Sequence, residues 1–278
     1  MRLARFSAVV VLSAAFSLLS RVEAEAAATG WTGDGHVAVR LITATDTIGA
    51  SSTLDAGLEF RFAEGWHGYW RTPGDAGVAP MIDWSGSENI SREEVAWPAP
   101  SRLVSEDLQT LIYKNDVVLP LKLSLKQAGA PARIHVSVVH GGCSEVCVPY
   151  QADLSLALPP GAGVPSAEAA LIEAARKTVP GSPAAAGIDV VAARITGSGS
   201  DAMLAVDLRS SAGPFVRPDL LIEGIGDGIP AAPEVAFRNG GHSALLTVRL
   251  PALPPANRPL TLTLMDQDRS AEFQIKAR

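Results

Sequence analysis

Two thiols four residues apart are capable of a short list of chemistries. Cys143 and Cys147 are the only cysteines in this 278-residue chain, within the run Val136-Ser-Val-Val-His-Gly-Gly-Cys-Ser-Glu-Val-Cys-Val-Pro149. In an oxidising compartment such a pair closes to a disulfide. The loop it closes is so short that chain entropy contributes only about 2 kcal/mol, against about 3 for a loop of roughly fifteen residues. A chain with 47% apolar residues has little need of so small a staple, which favours a working redox pair. The residues alone still leave three readings open: thiol exchange, a hairpin staple, or a metal site. His140 invites the last. A copper site would want a second histidine and often a methionine close after the cysteine, and four-ligand zinc spacing is absent. The only histidine after Cys147 is His242. The expectation is therefore no metal and no cofactor. His140 reads as a strand-end histidine beside the pair, where a protonated ring would favour a neighbouring thiolate.

The pair must be positioned by a reversal of the chain. An extended strand would hold residues 143 and 147 about 13 Å apart, whereas bridged cysteines need Cα atoms within about 7 Å. The flanking sequence predicts a β-hairpin, with 134–140 running in, 147–158 running out and 144–146 at the tip. Gly141 and Gly142 suggest a bulge or an unusual φ next to the first cysteine. Pro149 keeps Val148 extended and argues against a helix. A disulfide at such an edge is open to another thiolate.

Alternating apolar and polar residues at 37–43, 58–62, 117–125, 134–140 and 152–158 predict half-buried strands without intervening helices, hence a sandwich. The segment 166–178 predicts one helix, capped by Ser166 and stopped by Pro180-Gly-Ser-Pro183. Strand texture returns from Ile188. The fold class expected is all-β: an immunoglobulin-like β-sandwich over 30–160, a helical connector over 161–187, and a second, smaller β domain over 188–278. Residues 1–24 read as a secretory signal peptide, with Arg2 and Arg5 ahead of an apolar stretch and small residues at the cleavage region. No later stretch has the length of a membrane span, so a soluble, periplasmic protein is expected. With 23 basic and 29 acidic residues and no Lys/Arg cluster, nucleic-acid binding is not expected.

A second cluster is Gly65-Trp-His-Gly-Tyr-Trp-Arg-Thr-Pro-Gly74. Its bulky aromatics cannot all face one side of a strand. One of Trp66 and Trp70 is expected in the core, at least one aromatic at a site or interface, and Trp84 and Trp97 in packing.

This string, with Asp83-Trp-Ser-Gly-Ser-Glu-Asn89, Trp97-Pro-Ala-Pro100, Ile112-Tyr-Lys-Asn-Asp-Val-Val-Leu-Pro120 and Gly142-Cys-Ser-Glu-Val-Cys-Val-Pro149, resembles the N-terminal periplasmic region of the membrane thiol:disulfide reductase DsbD. The likeness is to its ScsB-like form, linked to copper tolerance, and the wider family also serves cytochrome c biogenesis. The resemblance spans about 31–158. It implies a protein-disulfide reductase component that takes electrons from a thioredoxin-like domain or membrane electron-transfer protein. It would pass them to disulfide-bearing exported proteins. Cys143 and Cys147 match the family's redox pair, with His140, Tyr69, Trp70, Tyr113 and Glu145 as supporting residues. Cys143, beside the two glycines and His140, is slightly favoured as the attacking thiol. The family's shielding cap loop corresponds to 103–111, though its aromatic residue has no match here. A complete reductase continues into membrane helices and a thioredoxin-like domain, so a separate membrane protein is expected to supply the electrons. The competing class is a non-catalytic copper-handling or assembly module with a structural disulfide. The segment from Ile188 has no Trp, Tyr or Cys and reads as a spacer or docking surface.

Overall fold

A computed structural model describes residues 27–106, 108–226, 228–253 and 258–276. The signal peptide expected over 1–24 lies outside the described residues. Strands dominate, as the alternation predicts. The first eleven are β1 (Thr32–Gly33), β2 (Val37–Thr43), β3 (Thr53–Phe62), β4 (His67–Gly74), β5 (Met81–Asp83) and β6 (Ile90–Val95), then β7 (Ser101–Ser105), β8 (Leu108–Lys114), β9 (Val117–Leu125), β10 (Ala132–Cys143) and β11 (Cys147–Leu158). They form two sheets, ordered β1-β2-β3-β9-β6 and β11-β10-β4-β8-β7, with β5 paired to β10. The inward residues of both sheets make one core, including Leu41, Leu58, Leu119, Leu121, Ile134 and Trp70. This is the immunoglobulin-like sandwich.

The helix α1 (Ala169–Arg176) is shorter than expected, and Ser166 does not cap it. The Ser166 hydroxyl donates to the Thr43 carbonyl at 2.5 Å and accepts from the Glu168 amide at 3.2 Å. That ties the approach to β2 and leaves Glu168 as the residue where the helix begins. Ile172 and Ala175 bury against Ile42 and Val118, so the connector is docked on the first sandwich. Ion pairs Arg40–Glu168 and Arg176–Asp55 reinforce it.

Beyond it run β12 (Ile188–Thr196), β13 (Met203–Ser210), β14 (Asp219–Glu223), β15 (Glu234–Arg238), β16 (Ser243–Arg249), β17 (Pro259–Asp266) and β18 (Arg269–Lys276). Sheets β12-β13-β16-β15 and β14-β17-β18 enclose a separate core around Leu204, Val206, Leu246, Leu262 and Leu264. The two sandwiches share a packed boundary. Leu221 and Ile229, from the second, are buried in the first domain's core, with Met265 packed against it.

Candidate functional site

The hairpin β10–β11 holds register from Ala132↔Leu158 to Cys143↔Cys147, so the cysteines face one another as the last cross-strand pair. Their Cα atoms are 4.1 Å apart and the sulfurs are bonded. The reversal takes Ser144, Glu145 and Val146, all exposed, with the Ser144 amide donating to the Val146 carbonyl at 3.1 Å.

The register is unbroken at Gly141↔Pro149 and Gly142↔Val148, and neither glycine has a positive φ. The expected bulge is absent; these glycines make room. A Cβ on Gly141 would sit 3.0 Å from the Tyr69 ring. One on Gly142 would meet Val37 at 2.5 Å and the Tyr150 ring at 2.9 Å. Gly77 approaches Tyr69 from elsewhere, where a Cβ would lie 2.6 Å from the ring. Tyr69 is thus slotted between two glycines.

Alternation along β4 explains why Tyr69 is there. Trp70 is fully buried in the sandwich core, so its neighbour Tyr69 must face the opposite side of the sheet. There Tyr69, Ile112 and Cys143 form a small buried cluster distinct from the main core, with Leu103 packed on it. The Tyr69 hydroxyl donates to Cys143 Sγ at 2.6 Å and lies 3.3 Å from Cys147 Sγ. Burial raises the Tyr69 pKa, so the phenol keeps its proton and can donate to a sulfur that becomes a thiolate.

The two sulfurs differ in access. Cys143 is 2% exposed, while Cys147 is exposed. An approaching sulfur meets Cys147 first. Beside it lies an apolar groove of about 420 Å³, lined by Tyr69, Val78, Val139, Val148 and Pro149 among others. The 76–78 segment forms one wall of this groove. On the other flank the expected cap segment is the β7–β8 hairpin. Leu103 reaches the cysteine cluster, whereas Val104 and Leu108 are exposed.

The remaining residues singled out from the sequence are placed differently. His140 shares the parity of Ile134, Val136 and Val138, and it is buried. Its ring stacks on Tyr150 at 5.5 Å and meets Phe60 edge-on at 5.1 Å. Burial lowers its pKa to about 4, against an opposing backbone hydrogen bond at Gly141. His140 is therefore neutral at neutral pH and supplies no positive charge to a thiolate. Tyr113 is buried in the core and donates to the Pro98 carbonyl at 2.7 Å. Trp66 is half-buried and stacks on His36 at 4.5 Å. Trp84 and Trp97 pack against the core. Among the described residues, no group of three or more His, Cys, Asp or Glu is arranged to hold a metal.

Sequence reasoning passed over His67. It pairs with Cys143 across β4 and β10 and meets Tyr69 edge-on at 5.5 Å. Burial, then the nearby Lys114, lowers its pKa. Its position two residues before Tyr69, on the same face of a strand, is the signal that would have found it.

Residues 38–159 match the family model described as thiol:disulfide interchange protein DsbD, N-terminal. Residues 178–278 match a domain of unknown function (DUF8393). The N-terminal periplasmic domain of ScsB from Proteus mirabilis shares the fold, with a TM-score of 0.70 and 23% identity. The match covers 91% of this chain and all of that one. The N-terminal domain of Neisseria meningitidis DsbD in the reduced form gives a TM-score of 0.25 and 15% identity, over 41% of this chain and 83% of that chain. No curated protein matches. Among the described residues no helix is long and apolar enough to cross a membrane.

Proposed function

We propose, from the premise that the first domain belongs to the DsbD N-terminal family, that this protein relays electrons by thiol–disulfide exchange at Cys147 and Cys143. The observation that carries the reading is the asymmetry of the pair: Cys147 is open beside an apolar groove, while buried Cys143 accepts a hydrogen bond from Tyr69. A staple gains nothing from that arrangement, but an exchange centre needs one sulfur to be attacked and the other to leave.

The donor, a thioredoxin-like domain of a membrane reductase, brings a thiolate to Cys147 Sγ. A new S–S bond forms there, the Cys143–Cys147 bond breaks, and Cys143 departs as a thiolate to which Tyr69 donates. The donor's second thiolate then attacks its own mixed-disulfide sulfur and releases Cys147. Two electrons have moved; the donor is oxidised and the pair reduced. In the second half-cycle Cys147 attacks the disulfide of an exported protein and expels one substrate thiolate. Cys143 then attacks Cys147, expels the second and regenerates the disulfide. The attacking role is thus given to Cys147, not to Cys143 as the sequence suggested, because access rather than neighbouring glycines governs attack. The periplasm is the compartment in which a donor across the membrane and exported substrates meet.

Trapping tests this. Cys143→Ala retains the open thiol and loses the one that resolves the substrate adduct, so Cys147 should attack the disulfide of an exported protein and accumulate the mixed disulfide, mapped to Cys147 by mass spectrometry. Cys147→Ala should accumulate far less. Equal adducts on both variants, or none on either, would overturn the reading.

A further inference from the structure

We infer that the second domain is a positioning element of the redox site, holding Tyr69 and Leu103 against Cys143 through Arg71 and Arg102. The inference rests on the exchange reading above and gives the plain β domain a part in it. Two of the three strands whose side chains cluster with the buried sulfur, β4 and β7, are gripped from the second domain within two residues of the side chain that touches the site.

On β4, Arg71 lies two residues after Tyr69. Its guanidinium covers the Trp70 ring at 4.3 Å and forks onto Glu223 of β14, Nε at 3.1 Å and Nη2 at 2.6 Å. It also pairs with Glu272 of β18. The Thr72 hydroxyl donates to the same Glu223 at 2.5 Å. Burial alone would lower the Arg71 pKa, but the hydrogen bonds and charges of the two glutamates outweigh it and raise it. On β7, Arg102 lies one residue before Leu103. It forks onto Asp219 of β14 at 2.8 and 3.0 Å and donates to the Pro230 carbonyl at 2.8 Å. Its side chain is 8% exposed. Forked arginine–carboxylate pairs fix orientation as well as distance, and buried ones lose most when one partner is removed.

The third segment around the site is held too. Asp75, just ahead of the 76–78 groove wall, accepts from the Gln109 amide at 2.8 Å. It abuts the second domain, where a Cβ on Gly228 would lie 2.7 Å from its carboxylate. Ile229 lies so close to Gly74 that a Cβ there would come within 3.0 Å of it. Strand β4, the β7–β8 hairpin and the groove wall therefore share one support.

The test is a double-mutant cycle on the full chain, read as the equilibrium between the disulfide and a reduced/oxidised glutathione buffer. Tyr69 donates more strongly to a thiolate than to a disulfide sulfur, so loosening β4 should disfavour the reduced form. Arg71→Met should shift the equilibrium about tenfold toward the disulfide, or about 30 mV more negative. Glu223→Gln, the milder removal of the same charge pair, should shift it about threefold in the same direction. In a Tyr69→Phe background the same substitutions should change it by less than about twofold, because Arg71 acts through Tyr69. Thermal melts establish that each variant is folded at the assay temperature; if Arg71→Met is not, Glu223→Gln carries the cycle. Unshifted equilibria in folded variants, or shifts that persist undiminished without the Tyr69 hydroxyl, would overturn the inference while leaving exchange intact. A wild-type pair that never equilibrates with glutathione would overturn the exchange reading, and this inference with it.

Discussion

Removing one oxygen atom should retune the buried sulfur. In Tyr69→Phe the ring stays in its slot between Gly77 and Gly141, so packing is preserved and only the donor to Cys143, at 2.6 Å, is lost. Hydrogen bonds to charged groups contribute about 1.5–3 kcal/mol and neutral ones about 0.5–1.5. The excess stabilisation of a thiolate over a thiol is then about 1 kcal/mol, and one pKa unit corresponds to about 1.36 kcal/mol. The Cys143 thiol pKa in the reduced protein should therefore rise by somewhat less than about one unit. Thiolate absorbance in the ultraviolet, followed against pH in a Cys147→Ser background, gives the midpoint directly. Paired with Tyr69→Phe it isolates the hydroxyl. An unchanged midpoint, or a lowered one, would refute the assignment of Tyr69 as donor to the leaving sulfur.

Other perturbations have equally definite outcomes. Gly141→Ala should push Tyr69 out of its slot and destabilise the fold by about 1–3 kcal/mol, the usual cost of overpacking, as read by urea denaturation. His140 has a folded pKa of about 4 against about 6.5 when unfolded. Below about pH 6.5 the unfolded chain takes up a proton that the folded chain refuses, so stability is full above that pH and falls until about pH 4. The loss from this one group is roughly 3 kcal/mol, and His140→Phe should flatten that part of the stability–pH curve; an unaltered acid limb would contradict its burial as a neutral ring. Reducing the disulfide should remove only about 2 kcal/mol of loop constraint. A reduced protein should therefore still melt cooperatively, whereas global unfolding on reduction would favour a structural disulfide.

Much of the first domain could be read from period alone. Alternation in β4 separates inward Trp70 from outward Tyr69, and the stretch from Ala132 to Cys143 predicts the hairpin that aligns the cysteines. His140's burial was legible in the same way, since it continues the inward series through Val138. Its protonation state was not, because that depends on Phe60 and Tyr150 closing around the ring. Gly141 and Gly142 announced a steric demand without revealing its source. The rings that require them belong to Tyr69, more than seventy positions upstream, and Tyr150 across the hairpin. Least legible was the boundary between the domains. Arg71 and Glu223 are 152 residues apart, and exposed-looking charges on separate strands reveal a partnership only once the topology brings them together.

The claim that Cys143 and Cys147 exchange rather than staple is tested most directly by the reduction potential of the wild-type pair in the full chain. Structural disulfides lie below about −300 mV, and accessible, catalytic ones lie higher. With Cys147 open to attack and Tyr69 poised to stabilise the Cys143 thiolate, the potential should lie above about −300 mV, with equilibration against glutathione in native protein. A potential well below that value, reached only after unfolding, would contradict the account.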